Sequence, residues 1–157
     1  MAITYPSYLK SSGGNWNNIG DMCTDIRNLL NAGTLSQNLE VRVENGATFG
    51  NYTGSDMINL TLTNGKFNGF TITIHSDIVT PLSPGILKLY ENSPVTLADS
   101  ASNSDSGGLI IENLIIKQSS EEAPVGLFYI DNDFLWASGR YVKFQNNLWY
   151  PTKGITF

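Results

Sequence analysis

The feature that most constrains this chain is a short pattern that recurs along its length. Residues 109–120 (LIIENLIIKQSS) and 128–139 (FYIDNDFLWASG) each contain an apolar run, an acidic residue, an asparagine, a second apolar run and a small polar end. The same apolar-acidic-Asn sequence occurs at 43–45 and 90–92, and looser copies end at positions 64 and 146. The spacing of the asparagines, a period of about 20 residues, predicts stacked structural repeats.

The asparagines are predicted to form corners between short strands. A tight corner needs a residue that tolerates a positive φ angle, and asparagine does so better than most non-glycine residues. Strands that meet at a corner bury little surface alone, whereas a stack of copies encloses one core. We expect the corner amides, about 4.8 Å apart in such a stack, to hydrogen-bond along it as a ladder. The predicted corner residues are Asn45, Asn64, Asn92, Asn113 and Asn132.

The same asparagines are compatible with hairpin turns. Asn45 and Asn64 each precede a glycine, and Asn-Gly between alternating apolar residues is the strongest short hairpin signal. Asn113 and Asn132 lack the glycine and lie in nearly aligned copies. The sequence therefore favours a parallel coil and leaves an antiparallel sandwich or barrel as the alternative.

Residues 18–150 resemble a short right-handed parallel β-helix, the pectate-lyase-like architecture that also occurs in phage tailspikes, head fibres and capsid decoration proteins. The resemblance depends on the periodicity and the corner residues, and it includes no catalytic motif. It implies an all-β fold, a right-handed coil of parallel strands capped by one N-terminal amphipathic helix.

The composition excludes several classes of protein. Charged residues make up 15% of the chain and the net charge is −5, without a basic cluster, so we expect no nucleic-acid partner. Cys23 is the single cysteine, which excludes an intramolecular disulfide and a cysteine-based zinc site. No apolar run approaches the roughly 18 residues of a spanning helix, so we expect no membrane insertion. The N-terminus lacks the pattern of a secretory signal, which predicts synthesis in a host cytoplasm.

Residues 1–17 are predicted to form an extended arm, and residues 18–157 a single β-helix domain. Pro6 and Gly13-Gly14 interrupt the arm, and three aromatic residues lie between its polar residues. Aromatic residues in an arm suggest docking on another surface, and the alternative is that they fold back on their own domain. The predicted docking residues are Tyr5, Tyr8 and Trp16.

One helix is predicted at about positions 18–33. Asn18 is a suitable N-cap with Asp21 three positions later, and Gly33 provides the C-terminal stop. Apolar residues between them follow helical spacing, namely Ile19, Met22, Cys23, Ile26, Leu29 and Leu30. We expect this helix to cover the first coil, whose edge would otherwise expose core side chains and unpaired strands. Cys23 would then be a buried apolar residue.

The chain from Leu39 onward alternates apolar and polar residues as strands do. The C-terminal segment 141–157 is strongly apolar and aromatic. Two interpretations remain open, a final coil with its cap or a subunit interface. The candidate interface residues are Phe144, Leu148, Trp149, Tyr150 and Phe157.

No known catalytic motif occurs in the sequence, and we predict no catalytic residue, metal or cofactor. Acidic corner residues such as Glu112 and Asp131 would lie near one another in a stack, but a role as solvated turn residues explains them better than catalysis does. Trp136 and the Trp149-Tyr150 pair could stack on sugars, although packing in the core or an interface is the commoner role of such rings.

These features favour a structural protein of a virus particle: a capsid decoration protein, a head fibre or a piece of a tail spike, located in the virion. Such a protein stabilises the particle or attaches it, and we expect a homotrimer that binds other virion proteins and a surface glycan. The alternatives are a carbohydrate-active β-helix enzyme, a lyase or hydrolase, and a non-catalytic glycan-binding module.

Overall fold

The computed structural model describes residues 3–77, 83–90, 95–100, 105–118, 128–131, 134 and 139–151. One α-helix and twelve β-strands occur in these ranges. They are β1 (Ser7–Leu9), α1 (Ile19–Asn31), β2 (Leu39–Val43), β3 (Thr48–Phe49), β4 (Ile58–Leu62), β5 (Thr71–Ser76), β6 (Ile86–Leu89), β7 (Val95–Asp99), β8 (Gly107–Glu112), β9 (Ile115–Gln118), β10 (Phe128–Ile130), β11 (Arg140–Gln145) and β12 (Leu148–Pro151).

The strands form three sheets, and all of the described strand pairs are parallel. Sheet A has the order β1-β2-β5-β8-β11, sheet B the order β3-β6-β9-β12 and sheet C the order β4-β7-β10. Successive strands along the chain therefore pass from sheet A to B to C and return to A, which gives a solenoid of about 3 coils. The predicted all-β parallel coil is confirmed, and the antiparallel alternative is wrong. The right-handed sense of the coil stays a prediction.

One coil takes a longer stretch of chain than the sequence period suggested. Register neighbours such as Leu39 and Ile72, or Ile115 and Leu148, lie one coil apart. The hydrogen bond between Asn38 and Thr71, which also crosses one coil, joins residues separated by 33 positions. The recurring asparagine pattern is therefore shorter than a coil. A coil has three strands and three corners, and the pattern marks corners of different kinds.

Alternation within each strand places one set of side chains in a single core. In sheet A the inward residue Leu39 pairs with Ile72, which pairs with Leu109, and all three are almost completely buried. Sheets B and C supply similar columns of aliphatic residues. Because the register is preserved from coil to coil, similar residues stack on one another in the parallel strands. β-Branched and leucine side chains pack well in such columns.

Helix α1 covers the N-terminal end of the solenoid beside sheet C, where it packs on β4. The Asn18 side chain accepts a hydrogen bond from the backbone N–H of Asp21, and Gly33 follows the helix at a φ of +64°. The buried face consists of Ile19, Met22, Cys23, Ile26 and Leu30. The predicted amphipathic cap is confirmed, with the helix between β1 and β2 in the chain. No helix in the described part of the chain is long and apolar enough to cross a membrane.

The extended arm expected at residues 1–17 differs from the observed structure. Residues 7–9 form β1, which pairs with β2, and Leu9 and Trp16 are buried in the core. Trp16 also bridges to Leu9, and hydrogen bonds join its backbone to Lys10 and Tyr8. The segment folds back because its apolar residues extend the core by one partial coil and pair the free edge of β2.

Candidate functional site

The described corner asparagines lie at two different corners of the coil. Asn45 and Asn113 both follow a sheet A strand, with one coil between them, and Asn64 follows β4 of sheet C. Asn113 adopts a φ of +56°, and Asn146 occupies the same corner one coil later at +55°. The described members therefore do not form one continuous ladder. Asn92 and Asn132 lie outside the described residues.

Other asparagines join neighbouring coils. Asn68 donates its side-chain amide to the carbonyls of Gly33 and Leu35. Asn147 accepts a hydrogen bond from the backbone N–H of Leu114 and donates one to the carbonyl of Ile111. Asn31 and Asn38 accept hydrogen bonds from backbone groups in the next coil. Each of these asparagines is separated from its hydrogen-bond partner by about one coil of chain. That separation identifies them in the sequence only when the register between coils is already known.

A buried ionic cluster lies at the corner between sheets C and A. Arg140 begins β11, and its guanidinium, like the Asp99 carboxylate, is fully buried. The guanidinium contacts Asp99 at 3.0 Å and Asp105 at 3.4 Å, and it donates to the carbonyl of Gly65. The rings of Phe67 and Phe134 lie 5.5 and 5.6 Å from it. This cluster ties successive coils together, and the complete burial of the Arg140–Asp99 pair indicates a structural role.

The outer face of sheet A presents a row of polar side chains, one from each strand. Tyr8, Arg42, His75, Glu112 and Gln145 are neighbours in register across the five strands. This row contains the single histidine, and sequence reasoning did not assign it a role. The register alone brings these residues together.

His75 and Glu40 form the chemically most versatile pair on this face. The Glu40 carboxylate lies 2.8 Å from Nε2 of His75 and 2.9 Å from the guanidinium of Arg42. The hydrogen bond from Arg42 is the main cause that holds the pKa of Glu40 below its usual range, and the bond from His75 adds to it. His75 is largely buried, and its Nδ1 has no hydrogen-bond partner among the described residues. A carboxylate that orients an imidazole is an arrangement used in acid-base catalysis.

The three predicted docking residues have different environments. Trp16 is buried, and its indole N–H donates to Asp25 at 2.8 Å. The Tyr8 ring packs under the ammonium of Lys10 at 4.1 Å. Tyr5 is the most accessible, with 36% of its surface exposed. A polar cleft of about 500 Å³ lies between the 10–17 segment and α1, with Trp16 and Asp25 among its lining residues.

The candidate interface residues divide between the two sides of the last coil. Phe144 and Trp149 point inward, are partly buried against the core and contact each other with ring centres 6.4 Å apart. Leu148 and Tyr150 point outward from β12 and are 55% and 51% exposed. Phe157 lies outside the described residues. The structure thus brings Leu148 and Tyr150 together on the outer face of sheet B.

Thiol and metal chemistry have little support among the described side chains. Burial raises the pKa of the Cys23 thiol to about 11, so the thiolate needed for reactivity is scarce near neutral pH. Within the described ranges, no group of three or more His, Cys, Asp or Glu side chains is placed to hold a metal ion.

No protein-family model matches the chain, and searches of curated proteins and of solved structures find no match.

Proposed function

We propose that this chain is a structural component of a virus particle, of the capsid-decoration, head-fibre or tail-spike kind. In that role it stabilises the particle or attaches it to a surface, and it works as a homotrimer in contact with other virion proteins. The observation that carries the proposal is the difference between the two ends of the solenoid.

The N-terminal end of the solenoid is covered by residue 16 and helix α1. Residue 16 bridges to β1, and α1 packs on β4, so two of the three sheets are closed at this end. At the other end, β11 and β12 each pair with one strand within the described part of the chain. Leu148 and Tyr150 are more than half exposed there. Open strand edges and exposed apolar side chains favour association with another protein surface.

The surface and the coil support the same role. A parallel stack with one continuous core is a stiff unit, and 15% charged residues against an average of about 25% leave a surface rich in Asn, Ser, Thr and Gly. Such surfaces are typical of repeat proteins that act by contact. A surface glycan is a further partner in the attachment role.

The solution mass of the purified chain tests this proposal. Sedimentation equilibrium is expected to give three times the chain mass of 17.2 kDa. A monomer that cleaves polysaccharide would contradict the proposal and favour the enzyme described next.

A carbohydrate-active enzyme is the second candidate, and the outer face of sheet A favours it. His75 contacts Glu40 and is the register neighbour of Glu112, so two carboxylates flank an imidazole on one face. Glycoside cleavage commonly uses a pair of carboxyl groups. Glycan binding without cleavage would use the same polar face.

Activity assays against a panel of acidic and neutral polysaccharides distinguish this candidate. The enzyme hypothesis expects product release that Glu112→Gln and His75→Gln abolish. The control Glu44→Gln, at the same corner two coils away from Glu112, should leave product release unchanged. Product release that is absent from the wild-type chain, or equal in all variants, counts against it.

A further inference from the structure

The outer face of sheet B has a composition different from the outer faces of its neighbours. Its outward side chains form two columns that cross the strands. One column is apolar, with Ile86, Ile115 and Leu148 in register, and the other contains Lys88, Lys117 and Tyr150. The outward positions of sheet C are mostly small or polar, namely Asn59, Thr61, Thr96, Ala98 and Tyr129.

The two lysines place like charges side by side on this face. Lys88 and Lys117 are register neighbours on adjacent parallel strands, about 4.8 Å apart at the backbone. Like charges at such positions destabilise a sheet. Among the described residues, no carboxylate forms a salt bridge with either ammonium, and Lys88 lies 5.6 Å from the ring of Tyr52. The pair is a local excess of positive charge on a chain of net charge −5.

We propose that the outer face of sheet B is the surface through which copies of this chain associate. The contact is heterologous: the face packs on a different, acidic surface of the next copy. The apolar column and Tyr150 supply the contact area, and carboxylates of the neighbouring copy neutralise the two lysines. The inference rests on the self-association in the proposed function and specifies the face that makes it.

The positive charge of this face favours a heterologous contact over a two-fold contact of the face with itself. A two-fold contact of this face with itself would place both lysine pairs in one interface, where their repulsion opposes association. A contact between this face and the acidic remainder of another copy is attractive. Heterologous contacts generate a closed ring when the rotation closes, which agrees with a trimer and not with a dimer.

Sedimentation equilibrium of the 157-residue chain and matched variants tests this face. Tyr150→Asp and Lys117→Glu are expected to weaken association by about tenfold or more, because each places a negative charge in the contact. The control Tyr129→Asp changes a side chain of sheet C that is equally exposed, at 52%, and is expected to associate like the wild type. A second control, Lys143→Glu, reverses an exposed charge of sheet A.

The outcomes separate the failure of this inference from that of the proposed function. An oligomer that is unaffected by Tyr150→Asp and Lys117→Glu, or that Tyr129→Asp disrupts as strongly, overturns the assignment to sheet B and leaves self-association intact. A monomeric wild type overturns both. Lys117→Glu exchanges one charged, outward side chain for another, so it remains informative should Tyr150→Asp fail to fold.

Discussion

Asn68 combines both properties for which asparagine suits a coil of short strands. Its φ angle is +53°, a region that few side chains tolerate, and its amide bonds two carbonyl groups from the preceding coil. Asn113 has the same backbone conformation, but its neighbour Asn147 makes the side-chain bonds between coils. At the scale of single residues, the backbone role and the bridging role of asparagine are thus separable.

Two substitutions at Asn68 separate these roles. Asn68→Gly keeps the backbone conformation and loses both hydrogen bonds, so we expect it to lower the free energy of unfolding by about 1–3 kcal/mol. Asn68→Ala adds a strained φ angle and should lower that free energy by roughly a further 1 kcal/mol. Urea unfolding measures both values. The control Asn146→Gly, at an exposed corner with a φ of +55°, should change it by less than about 0.5 kcal/mol.

At the scale of elements, the N-terminal segment is part of the solenoid because it packs on the first coil. Residues 7–9 alternate between buried and partly exposed side chains, like the other strands of sheet A, and Trp16 covers the edge beyond them. Together with α1 they close an end that would otherwise expose the inward side chains of the first coil. Removing residues 1–17 therefore tests the stability of the solenoid and not the docking of a free arm.

A substitution at Trp16 provides a finer test of this element. Trp16→Ala removes a buried ring and its bond to Asp25, and we expect the free energy of unfolding to fall by about 3–5 kcal/mol. Tyr5→Ala, in the same segment but partly exposed, should change it by less than about 0.5 kcal/mol. Equal effects of the two variants would show that the segment does not contribute to the core.

The Arg140 cluster acts at the scale of the whole molecule. Gly65 follows β4, Asp99 ends β7 and Arg140 begins β11, so the three residues belong to successive coils. The Arg140 guanidinium donates hydrogen bonds to both Asp99 and Gly65. Because one side chain joins separate coils, its loss should affect their cooperative unfolding and not one corner alone.

Breaking this ion pair on one side should be costly. Arg140→Met leaves the buried Asp99 carboxylate without its counter-charge, and we expect the free energy of unfolding to fall by about 3–5 kcal/mol. Asp99→Asn leaves the guanidinium with Asp105 alone and should cost less. The double variant removes both charges and should recover part of that loss. Chemical denaturation followed by circular dichroism and by tryptophan fluorescence measures stability and cooperativity together. A loss below about 1 kcal/mol in both single variants would contradict a clamping role.

The local features of this fold were predictable from the residues that form them. Alternation of Leu39, Val41 and Val43 specifies the inward face of β2, and the Asn18 cap with its apolar stripe specifies α1. The candidate surfaces were predictable only in part. The sequence shows that Leu148 and Tyr150 are apolar or aromatic residues near the end of the chain. Their position beside Lys88 and Lys117 follows only from the register of sheet B.

The sequence by itself determined that the chain consists mainly of strands, the position of the helix and the inward faces of the alternating strands, because these depend on residues close together in the chain. The tertiary structure decided the parallel direction of the strands, the length of a coil, the corner that each described asparagine occupies, the inclusion of residues 7–16 in the core and the meeting of Arg140 with Asp99. Those features depend on register between strands that lie a full coil apart in the chain, and register is set by the loops and by packing across coils.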